Sequence, residues 1–149
     1  MIRVWQRDPM RGSVEVHDVP VSPERCMSLG EWSLFIDFGV EQQLRELRTK
    51  GFSNETGGVL LGYYDFNIGA VMVVAALPAP PDSKASPASF ERGIAGLAEM
   101  VAEAFRRTAG IVGYIGEWHS HPPGHSAAPS HDDLIQLVHL ALGMSDDGL

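Results

Sequence analysis

His119-Ser120-His121, followed by Pro122 and Pro123, sets two imidazoles two positions apart on one stretch of chain. In an extended backbone, residues i and i+2 project to the same side, so both rings can address one point. The prolines fix the backbone dihedrals that follow and end the strand, which holds the pair in place. Of the six histidines, His119, His121, His125, His131 and His139 all fall in this one region, and histidine is the commonest metal ligand. Downstream, Ser130-His131-Asp132-Asp133-Leu134 reads as a helix start, with Ser130 at the N-cap. Asp133 then sits in the first turn, where the helix dipole favours a carboxylate. Two histidines and one carboxylate leave a fourth tetrahedral position for water, the arrangement of a catalytic zinc site. A polar turn would account for His-Ser-His equally well on its own, so the surrounding pattern has to decide.

The elements that must position these residues follow from periodicity. Ile111 to Trp118 reads as a strand leading into the histidines, and Ser130 begins a final helix with Leu134, Leu137, Val138 and Ala141 as its apolar face. Gly143 marks the end of that helix. Upstream, Val59 to Tyr64 and the apolar run Ala70 to Leu77 are strands, joined by a hairpin loop over Asp65 to Gly69. Trp32 to Phe38 is an aromatic-rich strand, and Val40, Leu44 and Leu47 recur at helical spacing before Gly51. Phe90, Ile94, Leu97, Val101 and Phe105 step by three and four, predicting a helix to Arg107. Pro78 to Ser89, with its prolines and serines, reads as a mobile surface loop. Residues 2–5 and 14–19 alternate with period two and read as short strands, and Pro20, Pro23 and Gly30 punctuate a loop. Strands interspersed with three helices give a mixed α/β layer arrangement.

Composition narrows the function classes. A chain of 149 residues, 44% apolar and 20% charged, fits one compact soluble domain. Lys plus Arg numbers 11 against 19 for Asp plus Glu, a net charge of −8. That balance argues against broad binding to nucleic acid or anionic lipid. The one cysteine, Cys26, has no partner for a disulfide within the chain, which suits a reducing, cytoplasmic setting. Its default reading is a small, buried or half-buried side chain. The N-terminus has no apolar core of a secretory signal, and no run approaches a membrane span.

The segment Asn54-Glu55-Thr56-Gly57-Gly58-Val59-Leu60-Leu61-Gly62, taken with Glu117-Trp118-His119-Ser120-His121-Pro122 and Ser130-x-x-Asp133-Leu134, resembles the JAMM (MPN-plus, JAB-type) zinc metalloprotease family, most closely its prokaryotic members. The resemblance spans about Leu34 to Gly143. It implies a cytidine-deaminase-like MPN/JAMM architecture, a mixed β-sheet flanked by helices, over residues 32–149, with residues 1–31 as an N-terminal extension. It implies one zinc ion per chain held by His119, His121 and an aspartate, with water as the fourth ligand. Glu55 would act as general base and Ser130 would help stabilise the oxyanion. The family's usual interval from the second histidine lands on Asp132, whereas the Ser-x-x-Asp phrase lands on Asp133. A loop absorbs an insertion more easily than a helix changes phase, which selects Asp133 and leaves Asp132 as the alternative. Glu117 shares the strand parity of the histidines and reads as a group orienting an imidazole, with a place next in line for the base. His125 and His131 read as solvated loop positions, His139 as structural, and Trp118 as a core residue on the opposite side of the strand.

The same resemblance implies hydrolysis of an isopeptide or peptide bond after the C-terminal Gly-Gly of a ubiquitin-like modifier or sulfur-carrier protein, with an E1-like enzyme as associate. The alternative is a metal-free scaffold or interaction subunit of the same fold. A DNA-repair-associated relative is disfavoured by the acidic charge. The family's domain normally continues with a strand after the last helix, so the sequence predicts a C-terminally short domain. That leaves open a fragment, a minimal form, or a subunit completed by a neighbour. An unfinished sheet edge would favour a homo-oligomer.

Overall fold

The structure is a computed structural model that describes residues 2–8, 10–19, 24–122 and 124–146. Its centre is a five-stranded mixed sheet in the order β3-β4-β6-β5-β9. These strands are β3 (Glu24–Leu29), β4 (Trp32–Asp37), β5 (Gly57–Asp65), β6 (Ala70–Ala76) and β9 (Gly113–His119). Strands β4 and β6 run parallel, and every other neighbouring pair is antiparallel. The apolar run of β6 is the central strand: it is flanked by β4 and β5, and Ala70, Val73 and Ala76 are buried. Two smaller hairpins stand apart, β1 (Ile2–Arg7) with β2 (Val14–Val19) and β7 (Lys84–Ser86) with β8 (Ser89–Glu91).

Helix α1 (Phe38–Gly51) follows β4 directly. Asp37 starts it by accepting the Gly39 N–H at 2.6 Å, satisfying one of the amides a helix start leaves free. Its buried Val40, with Leu44 and Leu47, packs on Val73 and Ala76, and Leu34, Ile36, Leu60, Ile115 and Trp118 close around them. Helix α2 (Leu97–Arg107) lies beside β9, and α3 (His131–Asp146) follows the histidine segment. Among the described residues, no helix is long and apolar enough to cross a membrane.

The structure corrects several expectations. The stretch read as a loop before Gly30 contains β3, paired with β4 from Glu24↔Asp37 to Leu29↔Trp32. Pro20, Pro23, Pro123 and residues 147–149 lie outside the described residues. Cys26 is exposed on β3 rather than buried or half-buried. The Pro78–Ser89 loop holds β7 and leads into β8, so it is a built hairpin. The helix expected from Phe90 begins only at Leu97, because Gly96 takes a left-handed φ of 73° and Phe90 belongs to β8. Helix α3 runs through Gly143 to Asp146 instead of ending before it. His139 is exposed on α3, not structural, and His131 opens that helix instead of lying in a loop.

Candidate functional site

Strand β9 delivers His119 at its last position, where it pairs in register with Gly57 at the start of β5. His121 lies just beyond the strand and is fixed by its neighbours. Ser120, between the two histidines, donates its N–H to the Thr56 carbonyl at 2.7 Å, and its Oγ accepts the Thr56 N–H at 3.0 Å. Arg48 of α1 donates from Nη2 to the His121 carbonyl at 3.3 Å. The two imidazoles end with centroids 5.0 Å apart and planes tilted by 34°.

The same Ser120–Thr56 exchange holds the Glu55 segment beside the histidines. Glu55 also donates its N–H to the Ser86 carbonyl at 2.8 Å, tying it to the β7–β8 hairpin. Gly57 and Gly58 are required by close approach. A Cβ on Gly57 would meet the Phe90 ring and the Trp118 carbonyl, and one on Gly58 would meet the Leu77 carbonyl. Trp118 turns to the core as expected and donates Nε1–H to Leu77 O at 3.0 Å.

Helix α3 brings in the carboxylate. Ser130 N–H donates to Asp133 Oδ2 at 2.6 Å, and Asp133 N–H donates to Ser130 Oγ at 3.2 Å, a reciprocal cap. Asp133 Oδ1 lies 3.1 Å from His119 Nε2, and Oδ2 lies 3.8 Å from His121 Nε2. The hydrogen bond with the Ser130 side chain, then that from its backbone and the nearby imidazoles, hold the Asp133 carboxyl below the usual aspartate range. His119, His121 and Asp133 offer ligand atoms all within 4.8 Å of one another. Zinc bonds of about 2.0–2.1 Å in a tetrahedron put ligand atoms about 3.3 Å apart. Two of the three separations, 3.1 and 3.8 Å, bracket that spacing, and all three lie within 4.8 Å, so the donor set suits a zinc ion after a small closing of the ligands.

These groups open on a cavity of about 330 Å³. Glu55, Ser130, Asp132 and His125 line it with the three candidate ligands, and Ser89 and Phe90 of the hairpin form another wall. Asp132 and His125 are exposed there and do not join the cluster. Glu117 also lines the cavity, but its carboxylate pairs with Arg92 at 2.7 Å rather than orienting an imidazole. Ser120, Arg48 and Arg92 escaped the reading of the sequence. Only the position of Ser120 between the histidines hints at its contacts, and the two arginines come from positions distant in sequence, Arg48 in α1 and Arg92 just after β8.

The profile of prokaryotic homologues of the JAB domain matches residues 39–145. A protein of Enterobacter hormaechei subsp. hoffmannii (strain UCI 50) named "CD-NTase/cGAS isopeptidase" is 32% identical over 131 residues, 88% of this chain and 68% of its own length.

Proposed function

The chain belongs to the prokaryotic JAB-domain family, and on that premise we propose that it is a zinc-dependent isopeptidase acting after the C-terminal Gly-Gly of a ubiquitin-like modifier or sulfur-carrier protein. Its similarity to a protein named an isopeptidase supports a deconjugating role in general. The observation that carries the finer reading is the meeting of His119, His121 and Asp133 within 4.8 Å, on a cavity that Glu55 shares. In this reading those three residues hold the metal. Bound zinc would lower the pKa of water toward about 7 and polarise the scissile carbonyl.

The chain's own groups then carry the protons. Glu55 takes a proton from the attacking water and returns it to the leaving amine, a contribution of about 10²–10⁴ in rate. Ser130 donates its hydroxyl toward the developing oxyanion. The extended modifier tail adds along a strand edge beside the β7–β8 hairpin, and its glycines pass where larger side chains would collide. The name of that relative makes a CD-NTase or cGAS-type protein a candidate for the other side of the bond. An E1-like enzyme is a candidate associate, and the free thiol of Cys26 suits action in the cytoplasm.

The test is metal content per chain by mass spectrometry, for the wild type beside His119→Ala/His121→Ala, with cleavage of a Gly-Gly-linked conjugate followed in parallel. One zinc in the wild type, none in the double variant, and cleavage lost in Glu55→Gln with zinc retained are the expected results. No metal in either protein after zinc loading would turn the reading to a scaffold of the same fold. Full cleavage by Glu55→Gln would remove Glu55 as the base.

A further inference from the structure

Glu117 stands two residues before His119 on β9, with its side chain only 12% exposed. Its Oε1 accepts the Arg92 Nε–H at 2.9 Å and lies 2.7 Å from Arg92 Nη2, so two guanidinium nitrogens converge on that one oxygen and leave Oε2 for another partner. Arg92 is itself held by donating from Nη1 to the Gly93 carbonyl at 3.0 Å. The Tyr114 hydroxyl reaches Oε1 at 3.5 Å, and the remaining oxygen, Oε2, accepts from Gln136 Nε2 at 3.3 Å. Gln136 is three residues beyond Asp133, close to one helical turn along the same face of α3.

That contact matters because α3 is otherwise lightly attached. Leu134, Ile135, Leu137 and Val138, which surround Gln136 in sequence, are 45–57% exposed. A helix held by so few contacts can tilt, and a tilt of this turn moves the Asp133 oxygens away from the imidazoles. We propose that Glu117 is a positioning residue: anchored by Arg92, it holds α3 through Gln136 so that Asp133 stays at metal-binding distance from His119 and His121. This rests on the metal-centre reading above and adds to it a link between the segment after β8 and the helix that carries the carboxylate.

The experiment measures zinc affinity by competition with a chromophoric chelator, for the wild type and Gln136→Met, and for each again with Asp133→Asn. Methionine keeps the length and helix preference of glutamine and removes only the hydrogen bond. Asparagine at position 133 keeps an acceptor for the Ser130 N–H and removes the anionic ligand. Gln136→Met is expected to bind zinc about tenfold more weakly, the lower end of the effect of losing such a supporting contact. In the Asp133→Asn background the same change is expected to have no further effect, a result that general loosening of the fold would not give. Wild-type affinity in Gln136→Met, or an equal loss in both backgrounds, would overturn the inference while leaving the metal centre standing. A wild-type protein that binds no zinc would overturn both.

Discussion

At the scale of single residues, the site depends on side chains that do no chemistry. Ser120 is the clearest. It occupies the position between two candidate ligands, and both its N–H and its Oγ are committed to Thr56, at 2.7 and 3.0 Å. Those two bonds set where Glu55 stands relative to His119. Ser120→Ala leaves the half-buried Thr56 N–H without its acceptor, at a cost of about 1–3 kcal/mol. The expected result is a lower denaturation midpoint together with a fall in kcat larger than any change in KM, because Glu55, the proposed base, moves while the binding surface stays. Unchanged kcat with the stability lost would separate Ser120 from the placement of Glu55. The histidines and Asp133 are legible in the sequence because they combine metal-ligating residue types with a spacing that can bring them to one point, as the cluster does. The role of Ser120 is not, because a serine between two histidines is equally compatible with a surface turn until Thr56 is seen beside it. Glu117 shows the same limit from the other side: strand parity puts it on the cavity that the two histidines line, but its partner Arg92 is 25 positions away in sequence, and no local pattern predicts that pairing.

At the scale of elements, the β7–β8 hairpin is held in shape by its two ends. Asp82 accepts the Ile94 N–H at 3.0 Å and the Ala95 N–H at 2.9 Å, and Ser83 Oγ accepts the Gly93 N–H at 2.9 Å. These amides, Ile94 first and then Ala95, hold the Asp82 carboxyl below the usual aspartate range. A carboxyl depressed in the folded state contributes stability that is present above its unfolded pKa, about 3.9, and that is lost as pH falls through the lower folded value. Amide exchange at Ile94 and Ala95 is therefore expected to stay slow, relative to intrinsic rates, down to about pH 4. Protection is expected to fall below that, while Asp82→Ala, which removes both acceptor oxygens, loses it at neutral pH as well. Protection unchanged in the variant would mean the hairpin is fastened elsewhere. Helix α3 has a comparable fastening in the Ser130–Asp133 cap, and Ser130→Ala is expected to cost about 1 kcal/mol. For a chain of this size that lowers the melting temperature by about 2–4 °C, read by circular dichroism. Both the hairpin and strand β3 were misread from sequence for one reason. Pro78, Pro80, Pro81 and Pro87 carry the composition of a loop, and Glu24–Leu29 lacks a clean alternation. Each becomes a strand because a partner supplies its hydrogen bonds, and in β3 that partner is the aromatic-rich β4. The strong periodic elements, α1, β5 and β6, came through because their own side chains make the buried core.

At the scale of the whole molecule, buried apolar contact is unevenly distributed among the described residues, and the candidate metal ligands span a lightly packed join. The core lies where α1 meets β4, β5 and β6. Helix α3 stands over a cleft of about 850 Å³, between Leu34, Ile36, Leu60 and Ile115 on one side and Leu137 and Ala141 on the other. Segments with few buried apolar contacts open at a free energy well below that of global unfolding, so α3 is expected to exchange its amides faster than β5 or β6 in the metal-free protein. The candidate ligands sit on both sides of this join, His119 and His121 with the sheet and Asp133 on the helix. Zinc binding would then act as a cross-link between them. A ligand at 100 times its Kd stabilises the state it binds by about 2.7 kcal/mol, which is about 5–10 °C in melting temperature for a chain of this length. The gain is expected to be local as well as global: on zinc loading, protection should rise most in the first turns of α3, and a chelator should reverse it. His119→Ala/His121→Ala should show neither effect. A rise in melting temperature of the same size in the double variant would mean that zinc acts elsewhere on this acidic surface. A rise confined to the wild type but spread evenly over β5 and β6 would mean that α3 is already fixed to the sheet without the metal.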